Sequence, residues 1–78
     1  MALSLANLAQ LRVSQGQPDR AEPLYRRALA IREKALGLSH PEVAKILEDL
    51  ANVLRKLGQK EEAVALELRA REIRAPRS

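Results

Sequence analysis

The chain has no cysteine, no phenylalanine and no tryptophan. Without thiols it forms neither disulfides nor thiolate metal sites, and nothing in it points to an oxidising compartment. A single histidine, His40, is too few for a histidine-based metal site. No apolar run approaches the ~20 residues that cross a bilayer, so no membrane contact is expected. The opening Met-Ala-Leu-Ser-Leu-Ala-Asn lacks the basic start and continuous apolar stretch of a secretory leader. A soluble, cytoplasmic protein is expected. There is also no glycine-rich phosphate loop, no metal-ligand cluster and no nucleophile–base spacing, so neither a cofactor nor a catalytic activity is expected. Tyr25 is the one aromatic, and with β-branched residues also scarce, little favours a sheet.

What remains is helical material. Leu and Ala dominate, supported by Glu, Arg and Lys, all strong helix formers. The length of 78 residues allows one small domain with a modest core. Charge is mildly positive, +4 from 14 basic and 10 acidic residues. It is spread out: residues 1–39 hold six basic and three acidic side chains, and residues 40–78 hold eight and seven. Nucleic-acid binders carry a denser basic stripe, often with aromatics on which bases stack. No nucleic-acid partner is therefore expected, although Arg26, Arg27, Arg69, Arg71 and Arg74 are the side chains that such a role would use.

Sliding the chain on itself by 42 residues (Leu5 onto Leu47) exposes a repeat. Leu8-Ala9 falls on Leu50-Ala51, Gly16-Gln17 on Gly58-Gln59, and Ala21, Leu24, Arg27, Ala28, Ile31 and Arg32 on Ala63, Leu66, Arg69, Ala70, Ile73 and Arg74. Small and apolar residues recur at helical spacing because each unit must pack in the same way against the next. Each unit reads as two helices. The first covers about 2–15, with Leu5, Leu8, Ala9 and Leu11 on one stripe. After the break Gly16-Gln17-Pro18-Asp19, the second covers about 19–36, with Leu24, Ala28, Ile31 and Ala35 expected inward; Pro23 requires it to start near Pro18 or Asp19, or to bend. Gly37 suits a helix end, Ser39 and Glu42 have capping-box spacing, and Pro41 lies in a first turn. The third helix covers about 41–57 and the fourth about 60–74, opened by Glu61-Glu62 where acids suit the helix dipole. A single domain follows, with one repeat over about 2–40, a second over about 41–74, and a tail at 75–78.

The pattern Leu8-Ala9, Gly16, Ala21, Tyr25, Ala28, with its second copy Leu50-Ala51, Gly58, Ala63, Ala70, resembles the tetratricopeptide repeat. The period exceeds the usual repeat of about 34 residues. Stretches such as Ala21-Glu22-Pro23-Leu24-Tyr25 and Leu38-Ser39-His40-Pro41-Glu42 are similar to the long-helix variety of kinesin light chains. The resemblance implies an all-α fold of two helical hairpins, four antiparallel helices forming a piece of right-handed solenoid. It also implies a structural, helix-capping role for the His40-Pro41 pair. Glu67 stands where the first copy has Tyr25, so the fourth helix is expected to pack less tightly.

The resemblance further implies that the concave face, lined by the first helix of each unit, grips a peptide or protein partner. The residues it places there are Leu3, Ala6, Asn7, Gln10, Val13 and Ser14 in the first copy and Lys45, Glu48, Asp49, Asn52, Arg55 and Lys56 in the second. Spacing agrees: Asn7, Gln10 and Ser14 share a helix face, as do Lys45, Asp49, Asn52 and Lys56. Amide side chains can pair with an unpartnered peptide backbone and cations with acidic side chains. The alternative for the charged set is an ordinary solvated surface with internal ion pairs. Two repeats are also few, since three or more normally share a core. Val64 and Leu68 point to the side where a further unit would stack, and Leu3 and Leu11 are open at the other end. Uncovered apolar surface tends to mark association, so a homodimer is expected. The alternatives are a purely structural self-assembling subunit, or a fragment or designed minimal repeat with no ligand of its own.

Overall fold

The computed structural model describes residues 4–75, and Leu3 lies outside the described residues. It is all-α: α1 Leu5–Ser14, α2 Pro18–Leu36, α3 Pro41–Lys56 and α4 Lys60–Arg74. The hairpins α1–α2 and α3–α4 are joined by packing of α2 on α3.

Local chemistry sets the helix ends. Ser4 caps α1, its hydroxyl accepting the Ala6 N–H at 3.2 Å, so the helix starts at Leu5 and not near residue 2. Both hairpin turns are built in the same way. Gly16 and Gly58 take φ of 76° and 83°, a region that costs other residues steric strain. The Gln17 N–H then reaches the Arg12 carbonyl at 2.9 Å and the Gln59 N–H reaches that of Leu54 at 2.8 Å. Gly16 and Gly58 donate to the carbonyls of Val13 and Arg55. These paired bonds are the Schellman closure of a helix end, and their recurrence explains why Gly-Gln repeats in the sequence.

The expected capping box at Ser39 and Glu42 does not form. His40 is the N-cap of α3, and its Nδ1 accepts the Glu42 N–H at 3.1 Å. Pro41 is the reason. It occupies the first helical position and forces the residue before it into extended backbone, which His40 adopts at φ −79°, ψ 142°. The capping role implied for His40 is what the structure shows. In α2, Pro18 takes the first helical position and Pro23 stays within a continuous helix. The carbonyl that Pro23 leaves without a donor belongs to Asp19 in the exposed first turn, where water can satisfy it.

Burial is concentrated in α3. Val43, Ala44, Ile46, Leu47, Leu50, Ala51, Val53 and Leu54 are all buried, because α2 covers one side of the helix and α4 the other. The flanking helices contribute small residues at the crossings: Ala9, Ala21, Ala28, Ala63 and Ala70. A methyl side chain lets helix axes approach to the lower end of the usual 8–10 Å, about one side chain apart. Tyr25 packs in the core cluster shared by the two hairpins. Two expected core positions are not core: Ile31 is 52% exposed and Ala35 is exposed. Ile31 borders an open hollow at the start of α1, beside Ser4, Leu5 and Ala6, and Ala35 lies one turn further along α2. Nor is α4 loosely held at Glu67. The α3–α4 hairpin is the more extensively packed of the two, and Glu67 makes a bidentate ion pair with Arg55 of α3 in place of aromatic packing.

Leu50→Ala is expected to destabilise the chain by about 2–5 kcal/mol, since Leu50 is fully buried where the covering helices cannot collapse onto the gap. That approaches the whole stability of so small a domain, and urea titration would read it as a chain largely unfolded without denaturant. His40→Ala removes only a cap and should cost about 1 kcal/mol, seen as a lower urea midpoint at unchanged slope.

Candidate functional site

Polar side chains of α1 and α3 line one open cleft of about 480 Å³. Its walls are Gln10 and Val13 of α1 and Asp49, Asn52, Val53, Arg55 and Lys56 of α3, and Tyr25 of α2 lies at its floor. Packing positions all three helices: Val53 and Tyr25 belong to the core cluster on which Val13 rests. The polar residues of α3 occupy the turns between its buried positions, so the cleft is the solvent side of the helix that carries most of the core.

Half of the expected concave-face residues meet here. Gln10, Asp49, Asn52, Arg55 and Lys56 line the cleft together with Val13. Asn7 is exposed on α1 outside it. Ser14 turns back on its own helix and donates to the Leu11 carbonyl at 2.8 Å. Lys45 is exposed one turn before Asp49 and acts on the cleft through its charge alone. Ala6 does not line the cleft, and Glu48 is turned to the other side, paired with Arg74 at 3.0 Å. Val64 and Leu68 are far from it on the outer face of α4, 44% and 52% exposed. Tyr25, the one aromatic and a position of the repeat motif, lines the cleft as well.

The electrostatics separate two kinds of charge. Arg55 is committed: Glu67 accepts from its Nε at 3.1 Å and from a second guanidinium nitrogen. That hydrogen bonding raises the arginine's affinity for its proton and lowers the Glu67 carboxyl below its usual range. Asp49 has no ion-pair partner among the described residues. Half-burial raises its carboxyl above the ordinary aspartate range, Lys45 pulling it down and Glu48 pushing it further up. The Tyr25 hydroxyl is likewise raised, first by burial and then by the Asp49 charge. The cleft therefore offers amide donors and acceptors at Gln10 and Asn52, one uncompensated carboxylate and an aromatic floor. Among the described residues no three His, Asp or Glu side chains are grouped to hold a metal ion, and no helix is long and apolar enough to cross a membrane.

Comparison with known proteins places these features in a family. The tetratricopeptide repeat family matches residues 1–75. The clustered mitochondria protein homolog of Neurospora crassa is 38% identical over 61 residues, which is 78% of this chain and 5% of that protein. The chain thus spans a small part of the curated relative it matches. With two helical hairpins, matching glycine closures and a family match over almost its whole length, the chain belongs to the tetratricopeptide repeat family.

Proposed function

We propose that this chain is a protein-interaction module that holds a peptide segment of a partner protein in the cleft between α1 and α3. Tetratricopeptide repeats generally mediate protein–protein interaction, and on this reading the chain binds and does not catalyse. Its 42-residue period supports a likeness to the long-helix, kinesin-light-chain-like variety, and the cytoplasm is its setting. The observation that carries the proposal is Asp49. A half-buried carboxylate without an ion-pair partner, beside a tyrosine ring and between two amide side chains, is unfavourable alone and improves when a donor reaches it. The segment it suits is an extended or helical stretch with a lysine or arginine aimed at Asp49 and backbone groups aimed at Gln10 and Asn52.

Titrating the chain with an array of fluorescent peptides tests this. Peptides with a central basic residue should bind, and Asp49→Asn should weaken them about tenfold or more, the usual loss for a charge-assisted contact. The sign with pH is fixed by the raised carboxyl: Asp49 takes up its proton at higher pH than an ordinary aspartate, so affinity should fall as pH drops through that raised value. For stability the sign is opposite. The raised folded value means that the charged form opposes folding above it, so Asp49→Asn should leave the chain at least as stable as before. Binding that is indifferent to Asp49→Asn would remove the proposal.

Exposure of Val64 and Leu68 favours a second role, pairing of two copies through α4. Light scattering across a wide concentration range should then show a dimer that Leu68→Glu converts to a monomer of unchanged helicity. A monomer at every concentration would contradict the pairing and leave the cleft unaffected.

A further inference from the structure

Two ion pairs bridge the outer helices of the two repeats. Arg26 of α2 meets Glu62 of α4 at 2.8 Å, and Glu33 of α2 meets Arg69 of α4 at 2.6 Å. Both partners are 36 residues apart, and a constant offset means that the two helices run in the same direction in fixed register. Leu29 lies between the α2 members and Leu66 between the α4 members, both packed on the core clusters. Beside the α2–α3 packing, the edge of the contact between repeats is thus a rail: charge, leucine, charge on each helix, the charges seven positions apart (62 and 69, 26 and 33).

The 42-residue repeat carries this rail to both ends of the chain. On α2, the positions matching Glu62, Leu66 and Arg69 are 62 − 42, 66 − 42 and 69 − 42, which are Arg20, Leu24 and Arg27. Arg20 and Arg27 are exposed and have no ion-pair partner among the described residues. Beside them Leu11 is 48% exposed, although its repeat mate Val53 is 1% exposed under the preceding hairpin. On α4, the positions matching Arg26, Leu29 and Glu33 are 26 + 42, 29 + 42 and 33 + 42, which are Leu68, Arg71 and Ala75. The two ends do not complement each other. Stacked head to tail, a second copy would set Leu68 and Ala75 against Arg20 and Arg27, and Arg71 among those arginines, with no carboxylate at the three matching positions.

We propose that the face formed by Leu11, Arg20, Leu24 and Arg27 docks the outer helix of a different helical hairpin, one with two carboxylates seven residues apart and an apolar residue between them. The α2–α4 ion-pair pattern continues onto this face, and its two unpaired arginines select an acidic neighbour over a second copy of the chain. The proposal does not depend on the cleft.

Rebuilding the missing half of the rail on the chain itself tests it. The triple variant L68E/R71L/A75E changes three exposed residues and should turn the chain into a head-to-tail self-assembler, because a heterologous contact does not close. Its mass by light scattering should rise with concentration. Adding Arg27→Glu should weaken association about tenfold or more, as should raising salt from about 50 mM to about 500 mM. A synthetic peptide of residues 18–36 carrying R26E places carboxylates at 26 and 33 around Leu29. Added to the unaltered chain, it should shift the amide NMR signals of Leu11, Arg20, Leu24 and Arg27, and a second peptide carrying E33K in addition should not. A triple variant with the mass of the unaltered chain, or association that survives Arg27→Glu, would overturn the proposal. Should the triple variant lose helicity, the peptide decides: shifts absent, or equal for both peptides, would overturn it.

Discussion

Helix α3 is covered on both sides, by α2 and by α4, and it supplies eight of the fourteen buried apolar residues among those described. No other helix has two neighbours packed so fully against it except α2, which meets α1 and α3 and buries only Ala21, Tyr25 and Ala28. A single helical hairpin of this composition could not hide its apolar face. The second hairpin exists as a folded object because the first lies on it, and the reverse holds for α2. Alanines at the crossings set how near the helices come, and leucines and valines on α3 fill what is left.

The functional surfaces follow from the same arrangement. Because α3 turns its large residues toward α2 and α4, its remaining positions form a polar wall opposite α1, with Tyr25 lining the cleft between them. In the two units described, Leu11 at one end and Val64 and Leu68 at the other are exposed. The ion pairs across the repeats are exposed or half-exposed and contribute little to stability singly. Their value lies in register, since charges seven residues apart on parallel helices match in one alignment and clash or miss in others.

Much of this arrangement is legible in the amino-acid sequence. The repeat, the two glycine turns and the four helices follow from periodicity, because 3.6-residue spacing and left-handed glycine positions are local properties. The cleft is half legible. Gln10, Asp49, Asn52, Arg55 and Lys56 do come together, but Asn7, Ser14 and Lys45, on the same helix faces, lie outside it. Helical spacing says which residues share a face and not where the opposite wall ends. Three details are settled by competition that spacing does not weigh. Pro41 moves the α3 cap from Ser39 to His40. Ile31 and Ala35 share helical spacing with the buried Ala28 and yet stay exposed. Arg55, twelve residues before Glu67, turns an apparent packing defect into an ion pair.

The central claim is that α3 makes the four helices one cooperative unit. Native-state amide hydrogen exchange measures this most directly, because it reports the opening free energy of each segment. The account predicts that amides from Leu47 to Leu54 exchange only by global unfolding, and that no α1–α2 amide stays protected once they have opened. Two hairpins with separate opening free energies, α1–α2 remaining protected while α3–α4 exchanges, would contradict it.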